Sequence, residues 1–592
     1  MCGIAGEIRT DGAEADRDVV GRMTAALAAR GPDGEGLWSD GPVALGHRRL
    51  SIIDLSDASA QPMTDDAAGL AIVFNGCIYN HRELRAELGP QCFRTSGDTE
   101  VILRAYERWG LDFVQHLVGM FAIVLVDRAA GRVVLVRDRL GIKPLYVTRV
   151  GAAVRVASTL PALLAGGGVD TRIDDVALHH YLSWHSIVPA PRTILRGVRK
   201  LPPATLRVID RDGSERDLRY WEPRYERDPE RASWSDADWR EAVHDALRTA
   251  VRRRTVADVP VGVLLSGGVD SSLIVELLAE EGLADGIETF SIGFEDRGGR
   301  AGDEFRWSDA VAQRFGTAHH RLRVGVDDLP SAVCAAVGAM SEPMGTHDAT
   351  AFFLLARAVS EHVTVVQSGQ GADEVFGGYG YHRIDPGARR KDAYRAFTRA
   401  FRDRPHRSVL RAVEDEHALL EDPSGALVKS AFRSGGADTP LDVVLRLDTH
   451  VLMPDDPVKR VDTMTMAWGV EARVPFLDHE LVELVAAAPP HLKSGRGGKT
   501  LLKDIARPLL PEGVVDRPKG YFPVPDLLEP TGPLLDLVED ALDSETARGR
   551  GLLRRGFVDE MLVDPGALLP TGGNRLWQLA VLELWLQEHG IR

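Results

Sequence analysis

The stretch Val261-Gly-Val-Leu-Leu-Ser-Gly-Gly-Val-Asp-Ser-Ser272 decides how the chain is read, because a short, wholly apolar run passes through a glycine turn into a helical pattern over Leu273 to Glu281. Strand, turn and helix in that order form the unit of a parallel sheet. Further apolar strands are expected at Glu288 to Phe294 and Val363 to Gln367, each set off by a helical stretch, and Trp239 to Arg254 reads as a helix ahead of them. That alternation predicts an α/β doubly wound parallel sheet covered on both faces, followed by a largely helical C-terminal part.

A loop that leaves a buried strand and opens a helix presents free backbone N–H groups and the positive end of the helix dipole, so it suits an anionic group such as phosphate. Gly267 and Gly268 allow close approach of the backbone, Ser266, Ser271 and Ser272 add hydroxyl donors, and Asp270 supplies a carboxylate for Mg²⁺. The alternative is a tight turn that uses glycine for geometry alone. A second loop, Ser368-Gly-Gln-Gly-Ala-Asp-Glu-Val-Phe-Gly-Gly378, also follows an apolar strand, and the two could share one nucleotide at the carboxyl ends of the strands. Gly498-Lys499-Thr500 is not a Walker A loop, since Lys493 stands where the upstream glycine belongs, and Gly369-x-Gly371 has Glu374 in place of a third glycine.

Working outward, the first two hundred residues read as short strands, among them Ala71 to Phe74, Met120 to Val126 and Val133 to Val136, with one clear helix from Asp98 to Trp109. This texture predicts a sheet-dominated α+β unit over residues 1–205, a Pro-rich and charged connecting region over 206–235, and the α/β unit over 236–592. With 592 residues, 44% hydrophobic and 27% charged, the chain has ample apolar material for several cores. Its net charge of −16 argues against a nucleic-acid or anionic-membrane partner. Cys2, Cys77, Cys92 and Cys334 show no metal-binding spacing, no apolar run reaches the roughly 18 residues of a membrane span, and no leader opens the chain, so a cytoplasmic protein is expected.

The sequence resembles the glutamine-hydrolysing asparagine synthetase family. The 266–272 loop is similar to that of ATP pyrophosphatases. Met1-Cys2-Gly-Ile-Ala-Gly6, Arg30-Gly-Pro-Asp-Gly34, Gly46-His-Arg-Arg-Leu-Ser-Ile52, Asn75-Gly-Cys-Ile-Tyr-Asn80 and Arg137-Asp-Arg-Leu-Gly-Ile-Lys-Pro-Leu-Tyr146 resemble the family's N-terminal class II glutaminase, an Ntn-type fold of stacked antiparallel sheets. Asp462-Thr-Met-Thr-Met-Ala467 and Glu471-Ala-Arg-Val-Pro-Phe-Leu-Asp478 resemble its synthetase half.

Removal of Met1 would place the Cys2 thiol beside a free α-amine with a reference pKa of about 7.7 to 8.0, a built-in base for attack on a glutamine amide. The resemblance implies that Asn75 and the Gly76 N–H form the oxyanion hole, and that Arg49 and Asp98 hold the glutamine α-carboxylate and α-amine, with Cys77 beside them. In the second half an acceptor carboxylate must be activated, because oxide is not a leaving group. ATP would supply an acyl-adenylate, and ammonia would displace AMP. By resemblance Leu265, Ile292, Ser368 and Gly369 contact the nucleotide, Asp270 and Asp373 bind Mg²⁺, and Lys519 lies near the phosphates.

Two departures stand out. Gln370 replaces a usual Glu thought to take a proton from the attacking amine, and Cys77 replaces the Glu of an Asn-Gly-Glu motif. With Asp455-Asp-Pro-Val-Lys-Arg460 and Trp468 they resemble the branch that amidates N-acetylglutaminylglutamine. Aspartate is the alternative acceptor, and a nucleotide-binding regulatory protein without synthetase activity is an alternative of another class. Met464 and Met466 are expected to pack. Coupling requires an ammonia passage shielded from water, and the sequence leaves a homodimer open.

Overall fold

A computed structural model describes residues 2–284, 286–296, 302–325, 328–517 and 524–592. The N-terminal part holds two six-stranded antiparallel sheets. In the first, Gly3–Arg9 lies between Val43–Arg49 and Ala153–Ala157, so the segment that carries Cys2 enters a central strand. In the second, Leu70–Ile78 pairs with Gly119–Asp127 along its whole length, which fixes Asn75 opposite Ala122. Alternate residues of both sheets, including Ile4, Leu45, Val73, Val124 and Val156, meet in a closed apolar layer between them. Helices His81–Leu88 and Asp98–Trp109 cover the outer face of the second sheet, and Arg17–Ala25 packs on the first.

The expected connecting region from residue 206 differs from what is found. Thr205–Asp210 and Glu215–Arg219 form a hairpin at the edge of the second sheet. Every residue of Glu215–Arg219 is exposed, so this edge strand carries no apolar alternation to be read.

The C-terminal part contains a five-stranded parallel sheet in the order Ala318–Val324, Glu288–Phe294, Val261–Leu264, Val365–Gln367, Glu471–Arg473. Its helices include Asp236–Arg253 and Val269–Glu280. The latter begins four residues ahead of the expected Leu273, because Gly268 caps it and Ser271 and Ser272 are buried in its first turn. The rest of the part is mainly helical, and Met464 and Met466 are buried packing residues.

One apolar core runs from the first N-terminal sheet into the parallel sheet and its helices, so the two parts share an interior. Buried ion pairs also cross this interface. Asp462 accepts from both terminal nitrogens of Arg30 at 3.1 Å and from Lys143 Nζ at 3.1 Å. Lys200 reaches Glu342 at 2.9 Å and Asp455 at 2.5 Å. Three separate sequence motifs, those containing Arg30, Lys143 and Asp462, therefore converge on one charge cluster. Burial acts to raise the Asp462 carboxyl, and Arg30 and Lys143 outweigh it, holding it below the usual carboxylate range.

Candidate functional sites

The first site forms where Gly3–Arg9 begins. Cys2 is buried, its backbone N–H donates to Asn75 Oδ1 at 3.1 Å, and its thiol faces the Leu50 carbonyl at 3.9 Å. Burial pushes the thiol up, so a base is needed to form the nucleophile. Asn75 is fully buried, and its Nδ2 has no hydrogen-bond partner among the described residues. A buried amide donor without an acceptor is costly unless a ligand oxygen completes it. Gly76 is obligatory by packing, since a Cβ there would fall 2.0 Å from the Met120 carbonyl.

Cys2, Arg49, Gly76, Cys77 and Asp98 line one cavity of about 40 Å³. Asp98 opens the helix Asp98–Trp109 and accepts from the Ile78 N–H at 3.0 Å; burial nevertheless pushes its carboxyl up to about 6. The terminal nitrogens of Arg49 donate to the carbonyls of Ser56 and Asp54, which ties the loop after its strand to the site. The structure thus brings every described residue expected around the thiol to one place. It adds two that the sequence assigned to the other half: Glu471 and Arg473, from the edge strand of the parallel sheet, line the same cavity.

The second site lies at the carboxyl ends of Val261–Leu264 and Val365–Gln367, adjacent parallel strands. Gly267 has φ +69°, and a Cβ on it would meet the Ser308 nitrogen at 2.5 Å, so both conformation and space demand glycine. Ser271 Oγ accepts from the Ser266 N–H at 3.1 Å, and Ser266 Oγ accepts from the Gly268 N–H at 3.3 Å, which curls the loop around the helix start. Ser272 Oγ is buried without a partner. The second loop touches the first: a Cβ on Gly369 would sit 3.0 Å from Asp270 Cβ and 3.1 Å from the Ser271 nitrogen. Leu265, Ser266 and Ile292 line a small pocket beside them. Ser368 is buried and its N–H donates to the Arg473 carbonyl at 2.8 Å, while Gln370 is half-buried in the following turn.

Asp270 and Asp373 converge on one cation-sized point, held here by Lys499, whose Nζ lies 2.7 Å from Asp270 and 2.9 Å from Asp373. Burial acts to lower this ammonium, and the two carboxylates outweigh it and raise it, so it is fully charged. Hard carboxylate oxygens on either side of such a point fit Mg²⁺. Lys499 is the residue the sequence reading missed. Gly498-Lys499-Thr500 is indeed no Walker loop, yet Lys499 adopts the left-handed conformation, φ +55°, that a non-glycine residue tolerates at cost. Gly378 makes the room, since a Cβ there would lie 1.9 Å from Asp373 Oδ1. Lys519 lies outside the described residues.

A buried thiol near the chain start and a nucleotide-type loop in the same molecule are the plan of an ATP-dependent ligase that takes its nitrogen from glutamine. The glutamine amidotransferase domain model matches residues 1–221, and the asparagine synthase model matches residues 242–587. Glutamine-hydrolysing asparagine synthetase 1 of Bacillus subtilis is 28% identical, with 99% of this chain and 96% of that protein covered. Asparagine synthetase 3 of the same organism is 29% identical over 100% of this chain and 99% of its own. The enzyme of Asparagus officinalis is 30% identical over 88% of this chain and 77% of its own. The chain belongs to the asparagine synthase family. Among the described residues no helix is long and apolar enough to cross a membrane.

Proposed function

We propose that the N-terminal sheets, carried to Arg219, form a glutaminase and that residues 236–592 form a synthetase that amidates the capped dipeptide N-acetylglutaminylglutamine. Cys2 attacks the glutamine side-chain amide once the α-amine, freed by loss of Met1, has taken the thiol proton. The C–N bond breaks, ammonia leaves and a thioester remains for water to cleave. Asn75 Nδ2 and the Gly76 N–H receive the developing oxyanion, and each donor there is worth about 10²- to 10³-fold in rate. Asp98 holds the α-amine and Arg49 the α-carboxylate.

In the second half the acceptor carboxylate attacks the α-phosphorus of ATP, pyrophosphate departs, and ammonia displaces AMP from the acyl carbon. The backbone of 266–272, Ser368 and Gly369 would hold the nucleotide phosphates, with Leu265 and Ile292 against the base. Asp270 and Asp373 would hold Mg²⁺, which neutralises phosphate charge when bound. Lys499, which pairs with the two carboxylates, would then be free to neutralise the phosphates.

The observation that carries the reading is the unsatisfied Asn75 Nδ2 next to Cys2. The test is Cys2→Ala: glutamine-dependent synthesis is lost and ammonia-dependent synthesis persists, whereas survival of both would overturn the glutaminase assignment. The acceptor rests on Gln370, whose amide cannot take a proton at neutral pH, and on Trp468. A second reading, aspartate as acceptor, draws on the relatives, which are named asparagine synthetases. Release of AMP and pyrophosphate with the capped dipeptide and not with aspartate decides for the first.

A further inference from the structure

The synthetase residue Arg473 stands in the wall of the thiol cavity. It is completely buried, and two of its three guanidinium nitrogens are spoken for: Nε donates to Glu471 at 2.6 Å, and Nη1 to the carbonyls of Arg254 at 2.9 Å and Val256 at 2.8 Å. Nη2 is buried with no acceptor among the described residues. A guanidinium nitrogen held rigid by its sister donors and left unpaired, on a residue that lines a cavity, is a prepared donor for an oxygen anion. The nearby group that could have claimed it is Cys77, in the position where the family usually has Glu. Burial pushes the Cys77 thiol far up, so it stays neutral and leaves Nη2 free. Arg49, the other guanidinium of the cavity and the proposed partner of the glutamine α-carboxylate, divides its terminal nitrogens with the Asp54 and Ser56 carbonyls, so that carboxylate has a place for a second donor.

We propose that Arg473 Nη2 donates a hydrogen bond to the α-carboxylate of glutamine bound at Cys2, so that the synthetase half completes the glutaminase pocket. The inference rests on the reading of this cavity as the glutamine site. It makes Arg473 a substrate-binding residue supplied across the domain interface, and it gives a use to a buried donor that the ion pair with Glu471 leaves unsatisfied.

The test compares glutamine with L-glutaminamide, which keeps the reacting amide and lacks the anionic carboxylate, as substrates for hydrolysis by wild-type enzyme and by Arg473→Met. The KM for glutamine is expected to rise about tenfold or more, the loss of one charge-assisted hydrogen bond, while the KM for L-glutaminamide moves less than threefold. Equal shifts for the two, or a glutamine KM within threefold of wild type, would overturn the assignment. Because Arg473→Met can disturb the buried pair with Glu471, a crystal structure of Cys2→Ser with bound glutamine gives the same answer without touching Arg473. Nη2 within about 3.2 Å of a carboxylate oxygen supports the proposal, and a separation that excludes a hydrogen bond sinks it. Absence of any Cys2-dependent hydrolysis in wild-type enzyme is a different failure, which removes the glutaminase reading and this inference with it.

Discussion

Asp462→Asn tests whether the buried ion cluster, rather than apolar packing alone, fastens the two halves. Asp462 is 2% exposed, and among the described residues it is the carboxylate within ion-pair distance of Lys143, a lysine that is 0% exposed. An amide in its place keeps the shape and one acceptor for Arg30 but takes from the buried ammonium its hydrogen-bonded counterion, with Glu471 a remaining carboxylate that acts on it, a loss of up to about 3–5 kcal/mol. At about 1.4 kcal/mol per factor of ten, local opening of the interface should become about 10²-fold to a few thousandfold more frequent. Amide hydrogen exchange at neutral pH reads this directly in Gly3–Arg9 and Pro457–Met466, the segments on either side. Neutral pH is the right condition, because a carboxyl held below its unfolded value stabilises the fold above the unfolded pKa of about 4 and loses that effect only as pH falls through the folded one. Arg30 Nε also faces the Cys2 carbonyl at 3.4 Å, so glutamine hydrolysis should weaken along with the interface. The double change Asp462→Asn with Lys143→Met removes the stranded charge and should recover at least half of the protection. Exchange within threefold of wild type, or no recovery in the double variant, would refute the reasoning.

Two further outcomes follow from the sites. On the proposed reading Asp98 holds the glutamine α-amine as a carboxylate, and burial pushes it up to about 6, so below pH 6 kcat/KM for glutamine should fall more steeply than the α-amine base alone dictates, and Asp98→Asn should lose that extra steepness; equal slopes in the two enzymes between pH 5 and 6 contradict the assignment. Lys499→Met removes the charge shared by Asp270 and Asp373 and should lower synthesis about 10²- to 10³-fold with either nitrogen source, with glutamine hydrolysis retained; undiminished ammonia-dependent synthesis would place Lys499 outside the reaction.

The elements legible in the sequence were those with one clear period. Asp98–Trp109 and Glu288–Phe294 occur with the expected bounds, one from an amphipathic helical pattern and the other from a short apolar run between helical stretches. Asp175–Ser183 was not legible, because seven of its nine residues are buried and a helix wrapped in protein shows no polar face. The glycine turn at 267 was readable, since only glycine fits its backbone and its neighbours. Arg473 and Lys499 were not readable as site residues. Each is an ordinary cation in its own segment and gains meaning only from packing against residues hundreds of positions away, Cys77 for the first and Asp270 for the second.

The two sites need a connection that keeps ammonia neutral, and the material between them is suited to that. Leu50 and Ile52, which line the thiol cavity, pack with Val365 and Met466 in a closed apolar cluster, with Val261 at its margin. Val261 and Val365 begin the strands that end in the two loops proposed to hold the nucleotide. An apolar layer disfavours ammonium far more than ammonia, because the charged form loses its hydration and finds no counterion there. The edge strand Glu471–Arg473 bounds the same layer, with side chains in the thiol cavity and the Arg473 carbonyl on the Ser368 N–H. A single short strand therefore belongs to both sites, so a change in how either loop seats its ligand acts on residues that shape the other. The departure at Cys77 fits this arrangement: with no carboxylate at that position, the cavity takes its remaining fixed charge from the neighbouring half of the molecule.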